Sequence, residues 1–351
     1  MKKSVLLVFL WLLAGCAGAI ATSPTAPAAN PPAATDIPRS MPMTWGGHGL
    51  TGRLLLIQYH EVGDSLIELD LKTGAISVLF QAPNKSKLLA ASLSPDGKQL
   101  VLAYAAPVAG QIQLGNTDLY LLPVGSTDPP TLLLKRKDSD ESFFGPAWAP
   151  DSKSIVYAHF FKTTVNNAAV YQYAVERTDL SGQTQLLIAD AFWPAVSPDG
   201  SQIAYVYSDP KGFSNDLYIA DANGQNQKAL TSPGVTQPVD AHFFSQDGKT
   251  IFFSMVNPQP QPASAWWDIL FGVHTVSAHN VPSDWYKVPA VGGKIERVTN
   301  INDTGMSGTD SPDGSRIAFI SMGGLFVVKP DGSDLVQLSD RALEGNIQWL
   351  P

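Results

Sequence analysis

The chain has 351 residues, 23 basic and 31 acidic, with a formal charge of −8. An acidic surface repels nucleic acid, and with no extended basic stripe nucleic-acid binding is set aside. Only 15% of residues are charged, while Gly and Pro number 29 and 27, which points to many short strands and turns rather than helices.

In chain order, the first feature is a processing signal. Lys2 and Lys3 precede an apolar run from Ser4 to Ala14, too short for a mature membrane span, which needs about 20 residues. The run ends in Leu13, Ala14, Gly15 and Cys16, which resembles the bacterial lipobox, in which the cysteine takes a diacylglyceryl group. The alternative is an ordinary secretory signal with an incidental cysteine. Cys16 is the sole cysteine, so it staples nothing internally, and the rest of the chain relies on core packing. The expected signal peptide is 1–15, followed by a lipidated Cys16 and a Pro/Ala-rich disordered tether over 16–44. At about 3.1 Å per residue, extended proline-rich chain of this length reaches roughly 80 Å.

From residue 45 onward one phrase recurs. It reads Ser94-Pro95-Asp96-Gly97, Ala149-Pro150-Asp151-Ser152, Ser197-Pro198-Asp199-Gly200, Ser245-Gln246-Asp247-Gly248 and Ser311-Pro312-Asp313-Gly314. Successive aspartates stand 55, 48, 48 and 66 positions apart, near the 40 to 50 residues of a four-stranded propeller blade. Proline presets the turn, aspartate bonds the local backbone, and glycine takes the left-handed conformation that returns the chain antiparallel. A short apolar strand follows each phrase, as in Gln99 to Tyr104 or Arg316 to Ile320. A second, glycine-bearing turn then precedes a last strand, as at Gly74, Gly182, Gly224, Gly292 and Gly332.

The N-terminal unit begins at its second strand, with Thr51 to Ile57. Its missing first strand is supplied by Ile347 to Pro351, so that three strands from the start and one from the end make a shared blade. With five phrase-bearing blades the expected fold is an all-β, six-bladed β-propeller of four antiparallel strands per blade, over 45–351, with an insertion at about 257–284. Closure by the C-terminal strand removes exposed sheet edges.

The SPDG phrase with later glycine turns resembles the TolB-type β-propeller repeat, from Thr51 to Pro351. TolB-like proteins carry an α/β domain before the propeller. Here that region holds the lipobox and tether instead.

In such a blade the tight SPDG turns line one face. The loops between second and third strands, and the crossings to the next blade, line the other, where sites are expected. The insertion carries Trp266, Trp267, Leu270, Phe271, His274 and His279. Residues 263–276 suggest a short helix whose aromatics serve either as a lid or docking surface or as packing on the rim of blade five. Near the axis stand Phe143, Phe144, Phe192, Trp193 and His242, as core or as ligand platform. Asp138, Asp140 and Glu141 read as a solvated loop rather than a metal cage. His60, His159 and His242 are scattered over three blades. There is no G-x-S-x-G elbow, no H-E-x-x-H and no room after Pro351 for a hydrolase domain, so no catalytic residue, metal or cofactor is assigned.

The expectation is a lipid-anchored cell-envelope protein, on the periplasmic or extracellular side, held to the membrane through Cys16. It acts as a monomeric, non-catalytic scaffold binding a protein, peptide or glycan on its variable face. The alternative is an envelope enzyme, a lyase or hydrolase acting on a saccharide or small ester at an axial site. A ligand-free spacer is the third possibility.

Overall fold

The computed structural model describes residues 49–59, 63–113, 115–165, 167–209, 215–232, 237–257, 281–340 and 343–351. Cys16, the tether, His60 and the insertion residues Trp266, Trp267, Leu270, Phe271, His274 and His279 lie outside the described residues.

Six four-stranded antiparallel sheets are present. Blade one joins β24 (Glu344–Leu350) to β1 (Arg53–Gln58), β2 (Ser65–Asp70) and β3 (Ile76–Gln81). Blade two is β4 (Lys87–Leu93), β5 (Gln99–Ala105), β6 (Asp118–Pro123) and β7 (Thr131–Leu134). Blade three is β8 (Ser142–Trp148), β9 (Ser154–Val165), β10 (Ala168–Asp179) and β11 (Thr184–Ala189). Blade four is β12 (Ala191–Val196), β13 (Gln202–Ser208), β14 (Asn215–Asp221) and β15 (Lys228–Ala229). Blade five is β16 (Val239–Phe244), β17 (Thr250–Val256), β18 (Ser283–Pro289) and β19 (Glu296–Arg297), and blade six is β20 (Ser307–Asp310), β21 (Ile317–Ser321), β22 (Gly324–Val328) and β23 (Val336–Ser339).

The first strand of each blade touches the first strand of the next, and β20 touches β24, so the ring closes. Closure is built as the repeat requires: Trp349 pairs with Leu54 and Gln348 with Leu55 across the β24–β1 ladder. The Trp349 Nε1 donates to the Thr51 carbonyl at 3.0 Å. On its other side β24 reaches β4 through side-chain amides: Asn346 Oδ1 accepts the Ala91 N–H and Gln348 Oε1 accepts the Leu93 N–H, each at 2.9 Å.

The core lies between blades rather than at one centre. Each of the six blade–blade interfaces has its own buried cluster: Leu56, Ile320 and Trp349 between blades six and one, or Val206, Phe253 and Val288 between four and five. The middle of each blade's second strand is largely apolar because both of its faces are covered, and Leu54 to Ile57 are at most 2% exposed.

The SPDG turns work as their residues dictate. Ser94 Oγ donates to Asp96 Oδ1 at 2.7 Å and accepts the Gln99 N–H at 3.0 Å, while Gly97 sits at φ +71°. The same bonds recur at Ser197, Ser245 and Ser311. Hydrogen bonds from Ser197, and from Ser201 side chain and backbone, pull the Asp199 carboxyl down to about 2.

Candidate functional site

Blade three departs from its siblings. Strands β9 and β10 pair over twelve residues each, from Ser154↔Asp179 to Val165↔Ala168. Their neighbours stop earlier: β8 reaches Phe160 and β11 reaches Ala174. The far end of the β9–β10 hairpin therefore projects on the variable-loop side as a two-stranded ribbon.

The residues also break the internal repeat. Counted from the SPDG phrase, His159 stands where blades two and four have Tyr104 and Tyr207. By strand pairing, opposite Tyr157 and its counterparts Leu102, Tyr205 and Phe253, Glu176 stands where blades two, four and five have Tyr120, Tyr218 and Tyr286. Alternation along the strands places Tyr157, His159 and Phe161 on one side of the sheet, and Tyr157↔Glu176 pairing brings the carboxylate to that same side. This side faces blade two, where Phe143 and Tyr157 pack with Ala103 and Leu119.

The product is a partly buried charged cluster. His159 Nε2 lies 2.6 Å from Glu141 Oε1 and its Nδ1 lies 3.0 Å from Glu176 Oε1. The Tyr157 hydroxyl donates to Glu176 Oε2 at 2.7 Å. The imidazole sits between the rings of Phe143 and Phe161, with centroids at 4.8 and 4.6 Å. Burial opposes the His159 charge, but the hydrogen bonds and charges of Glu176 and Glu141 outweigh it and hold the imidazole above its ordinary value. Burial likewise opposes ionisation of both glutamates and is outweighed. For Glu141 the backbone N–H of Lys137 leads and His159 follows; for Glu176 His159 leads and Tyr157 follows. Burial, and then Glu176, drive the Tyr157 hydroxyl far above its usual value.

Glu141 was expected in a solvated loop with Asp138 and Asp140. It is instead 6% exposed. Its Oε2 accepts the backbone N–H groups of Lys137 and Asp138, the latter at 3.2 Å, so it pins the crossing from blade two to blade three. Asp140 and Asp138 do remain at the surface, Asp140 bridging Lys162 at 3.7 Å.

The opposite side of blade three carries an aromatic ladder toward blade four. Tyr171 stacks on Phe160 at 5.2 Å and 4°, Phe160 meets Tyr173 at 5.0 Å, and Tyr173 meets Phe192 at 5.0 Å. Phe144 closes the row against Trp193 at 5.1 Å. Tyr171, at the ribbon end, is 51% exposed, and the other five rings are partly exposed. Six rings thus run from the projecting hairpin down to the axial strands.

Trp193 is the strained member. Blades three and four read Phe144-Gly145-Pro146-Ala147 and Phe192-Trp193-Pro194-Ala195, and both first strands slip register there. Gly145 takes φ +55° and Trp193 takes φ +50°. A left-handed backbone suits glycine and costs a bulky residue of order 1 kcal/mol or more. The indole lies over Gly145, where a Cβ would stand 3.0 Å from Trp193 Cε3.

The remaining expected residues scatter. Phe144, Phe192 and Trp193 join the ladder, whereas Phe143 is buried on the other side of its strand. His242 lies in β16 with Nδ1 3.3 Å from the Asp240 carbonyl, and enclosure by protein lowers its pKa. It belongs to neither cluster. Sequence reasoning passed over Phe160, Tyr171, Tyr173 and Glu176. Aligning the blades strand by strand would have flagged Glu176 and His159 as repeat-breaking positions. Among the described residues no group of three or more His, Cys, Asp or Glu side chains is arranged to hold a metal ion.

No family model matches the chain. By sequence it is 28% identical over 115 residues to dipeptidyl-peptidase 5 of Porphyromonas gingivalis, spanning 30% of this chain and 17% of that protein. By structure it is similar to TolB from Acinetobacter baumannii, with a TM-score of 0.57 at 17% identity over 86% of this chain and 67% of that one. It is also similar to an oligogalacturonate lyase in complex with manganese, with a TM-score of 0.53 at 12% identity over 79% and 71%. The fold defines the class as a six-bladed β-propeller with TolB-like neighbours. The same scaffold is shared with a lyase, so fold alone does not separate binding from catalysis.

Proposed function

We propose that this protein is a lipid-anchored, monomeric binding propeller of the cell envelope, periplasmic or extracellular, tethered through Cys16. It holds a protein, peptide or glycan on its variable face, without catalysis and without a cofactor. The observation that carries the reading is the Tyr171–Phe160–Tyr173–Phe192–Trp193–Phe144 ladder. Rings that are partly solvated and aligned offer flat apolar area at low entropic cost, as binding surfaces do. The strained Trp193 supports it, since backbone strain concentrates where function over-determines geometry. The His159 cluster fits the same reading. Both ring nitrogens are committed to carboxylates, so the imidazole keeps no lone pair for a substrate proton and acts as a strut.

The test is capture from envelope extracts by wild type and by the Tyr171→Ser/Phe160→Ser variant. Loss of the captured species with an unchanged melting temperature is expected. An unchanged set of partners refutes the ladder as the surface.

The second reading is an envelope lyase or hydrolase acting on a saccharide or small ester. It is favoured by the partly buried Glu141–His159–Glu176 arrangement and by the likeness to a lyase. It requires turnover of a saccharide or ester panel that His159→Gln abolishes. The binding reading expects no turnover, and ligand retention by the same variant.

A further inference from the structure

We infer that the variable face carries a second site, a carboxylate-binding cavity formed by blade two and the crossing that leaves it. A cavity of about 330 Å³ opens there, lined among others by Lys135, Arg136 and Lys137 on the crossing, Tyr120 on β6, and Pro107 and Val108 on the β5–β6 loop. The three consecutive cations stand out on a chain of net charge −8. The volume suits a small organic ligand.

Arg136 is incompletely neutralised. Its Nε is 3.9 Å from Asp118 Oδ1, an oxygen that already accepts the Arg136 backbone N–H at 2.8 Å. Its Nη1 is buried and has no hydrogen-bond partner. Blade five shows the contrast: Arg297 Nη2 donates to Asp284 and, at 2.7 Å, to Asn300 Oδ1. A guanidinium held only at long range, beside two exposed lysines, leaves a positive potential inside the cavity. A carboxylate answers it, as an ionised acceptor for the charged donors that line the cavity.

The lining also sets ligand charge and shape. Asp118 and Asp138 oppose the three cations, leaving one net positive charge, which favours a monoanion over a doubly charged phosphate. Ala106, Pro107, Val108 and the Tyr120 ring give an apolar wall. The ligand class is therefore a carboxylate on a short apolar body, carried by a free organic acid or by the end of a peptide. The crossing that presents the cations is held by Glu141, so the cavity is preformed. The inference shares only the face with the proposed function, and none of its lining residues belongs to the aromatic ladder.

The experiment titrates the full chain at low salt with N-acetylleucine, N-acetylleucinamide and inorganic phosphate, followed by calorimetry. Saturable binding of the acid is expected, with the amide and phosphate at least tenfold weaker. Arg136→Gln should lose binding at least tenfold. The Lys135→Gln/Lys137→Gln variant, both side chains being exposed, should weaken it severalfold with an unchanged melting temperature. No binding of the acid, equal binding of acid and amide, phosphate binding as tightly as the acid, or full binding by the lysine variant overturns the inference. Ladder variants should bind N-acetylleucine as wild type does, so failure of either site is read separately.

Discussion

Asp310 offers a test of how the repeat tolerates its own exceptions. It ends β20 where the other first strands end in Leu93, Trp148, Val196, Phe244 and Leu350. It is 4% exposed, and burial pushes its carboxyl up from 3.8 to about 6. Its leading compensation is specific. Gln246 replaces the proline of the preceding blade's SPDG turn, and the N–H that proline lacks donates to Asp310 Oδ2 at 2.8 Å. The two departures answer each other across the blade five–six interface. Because the folded pKa is raised, the carboxyl costs nothing below 3.8, where it is protonated folded and unfolded alike. The cost grows through the window from 3.8 to about 6 and is constant above it. That difference corresponds to about 3 kcal/mol of destabilisation at pH 8. Asp310→Asn keeps an acceptor for Gln246 and removes the charge. Allowing about 1 kcal/mol for the weaker neutral hydrogen bond, it should stabilise by about 2 kcal/mol at pH 8 and by less than about 1 kcal/mol at pH 4. Gln246→Pro alone should cost roughly 1–3 kcal/mol by removing the leading hydrogen-bond donor to a buried carboxylate. With Asp310→Val it restores the pairing of Val196 against Pro150, and the double variant should be better than additive by roughly 1–3 kcal/mol. Urea unfolding at both pH values measures all four corners. A gain independent of pH, or a coupling within about 0.3 kcal/mol of zero, would refute the reasoning.

Three other outcomes follow from the geometry. His159→Gln leaves Glu141 and Glu176 facing without a cation and should cost roughly 3–5 kcal/mol. A raised histidine contributes in full below 6.5 and is lost as pH rises through its folded value; the lowered glutamates contribute above 4.5 and are lost as pH falls. The loss should therefore be largest between pH 4.5 and 6.5, and a melting-temperature difference independent of pH would contradict the ion pairing. Trp349→Ala removes the indole that ties β24 to Thr51 and packs against blades one and six, and should cost roughly 3–5 kcal/mol in denaturant unfolding. A loss below 1 kcal/mol would mean closure does not rest on that residue. Trp193→Gly relieves left-handed strain of order 1 kcal/mol but loses the indole's packing, so it should cost roughly 1–3 kcal/mol while weakening captured ligand, whereas Gly145→Trp should destabilise severely, since a Cβ there already crowds the Trp193 ring.

The six blades and their closure were legible in the chain because each rests on local chemistry. A serine, an aspartate and a glycine in fixed order make the same hydrogen-bonded turn wherever they occur, and a strand apolar at every position announces two covered faces. Ring closure then needs only that a first strand missing at one end be present at the other, which Ile347 to Trp349 supply. The placement of Phe144, Phe192 and Trp193 on first strands near the axis came from the same repeat, whereas the bulge they flank came only from the structure.

Contacts between blades were decided by tertiary structure alone. Glu141 looks like one more acid in a polar loop, and only the docking of the crossing against β9 and β10 gives it His159 as a partner. Tyr171 and Phe160 stand on one hairpin, but their continuation through Phe192 and Trp193 exists because blade four packs beside blade three. Turn geometry depends on neighbours a few residues away and is written in the chain. Side chains dozens of residues apart become a strut, a ladder or a cavity only when the ring sets their distance, and that distance is a property of the closed assembly.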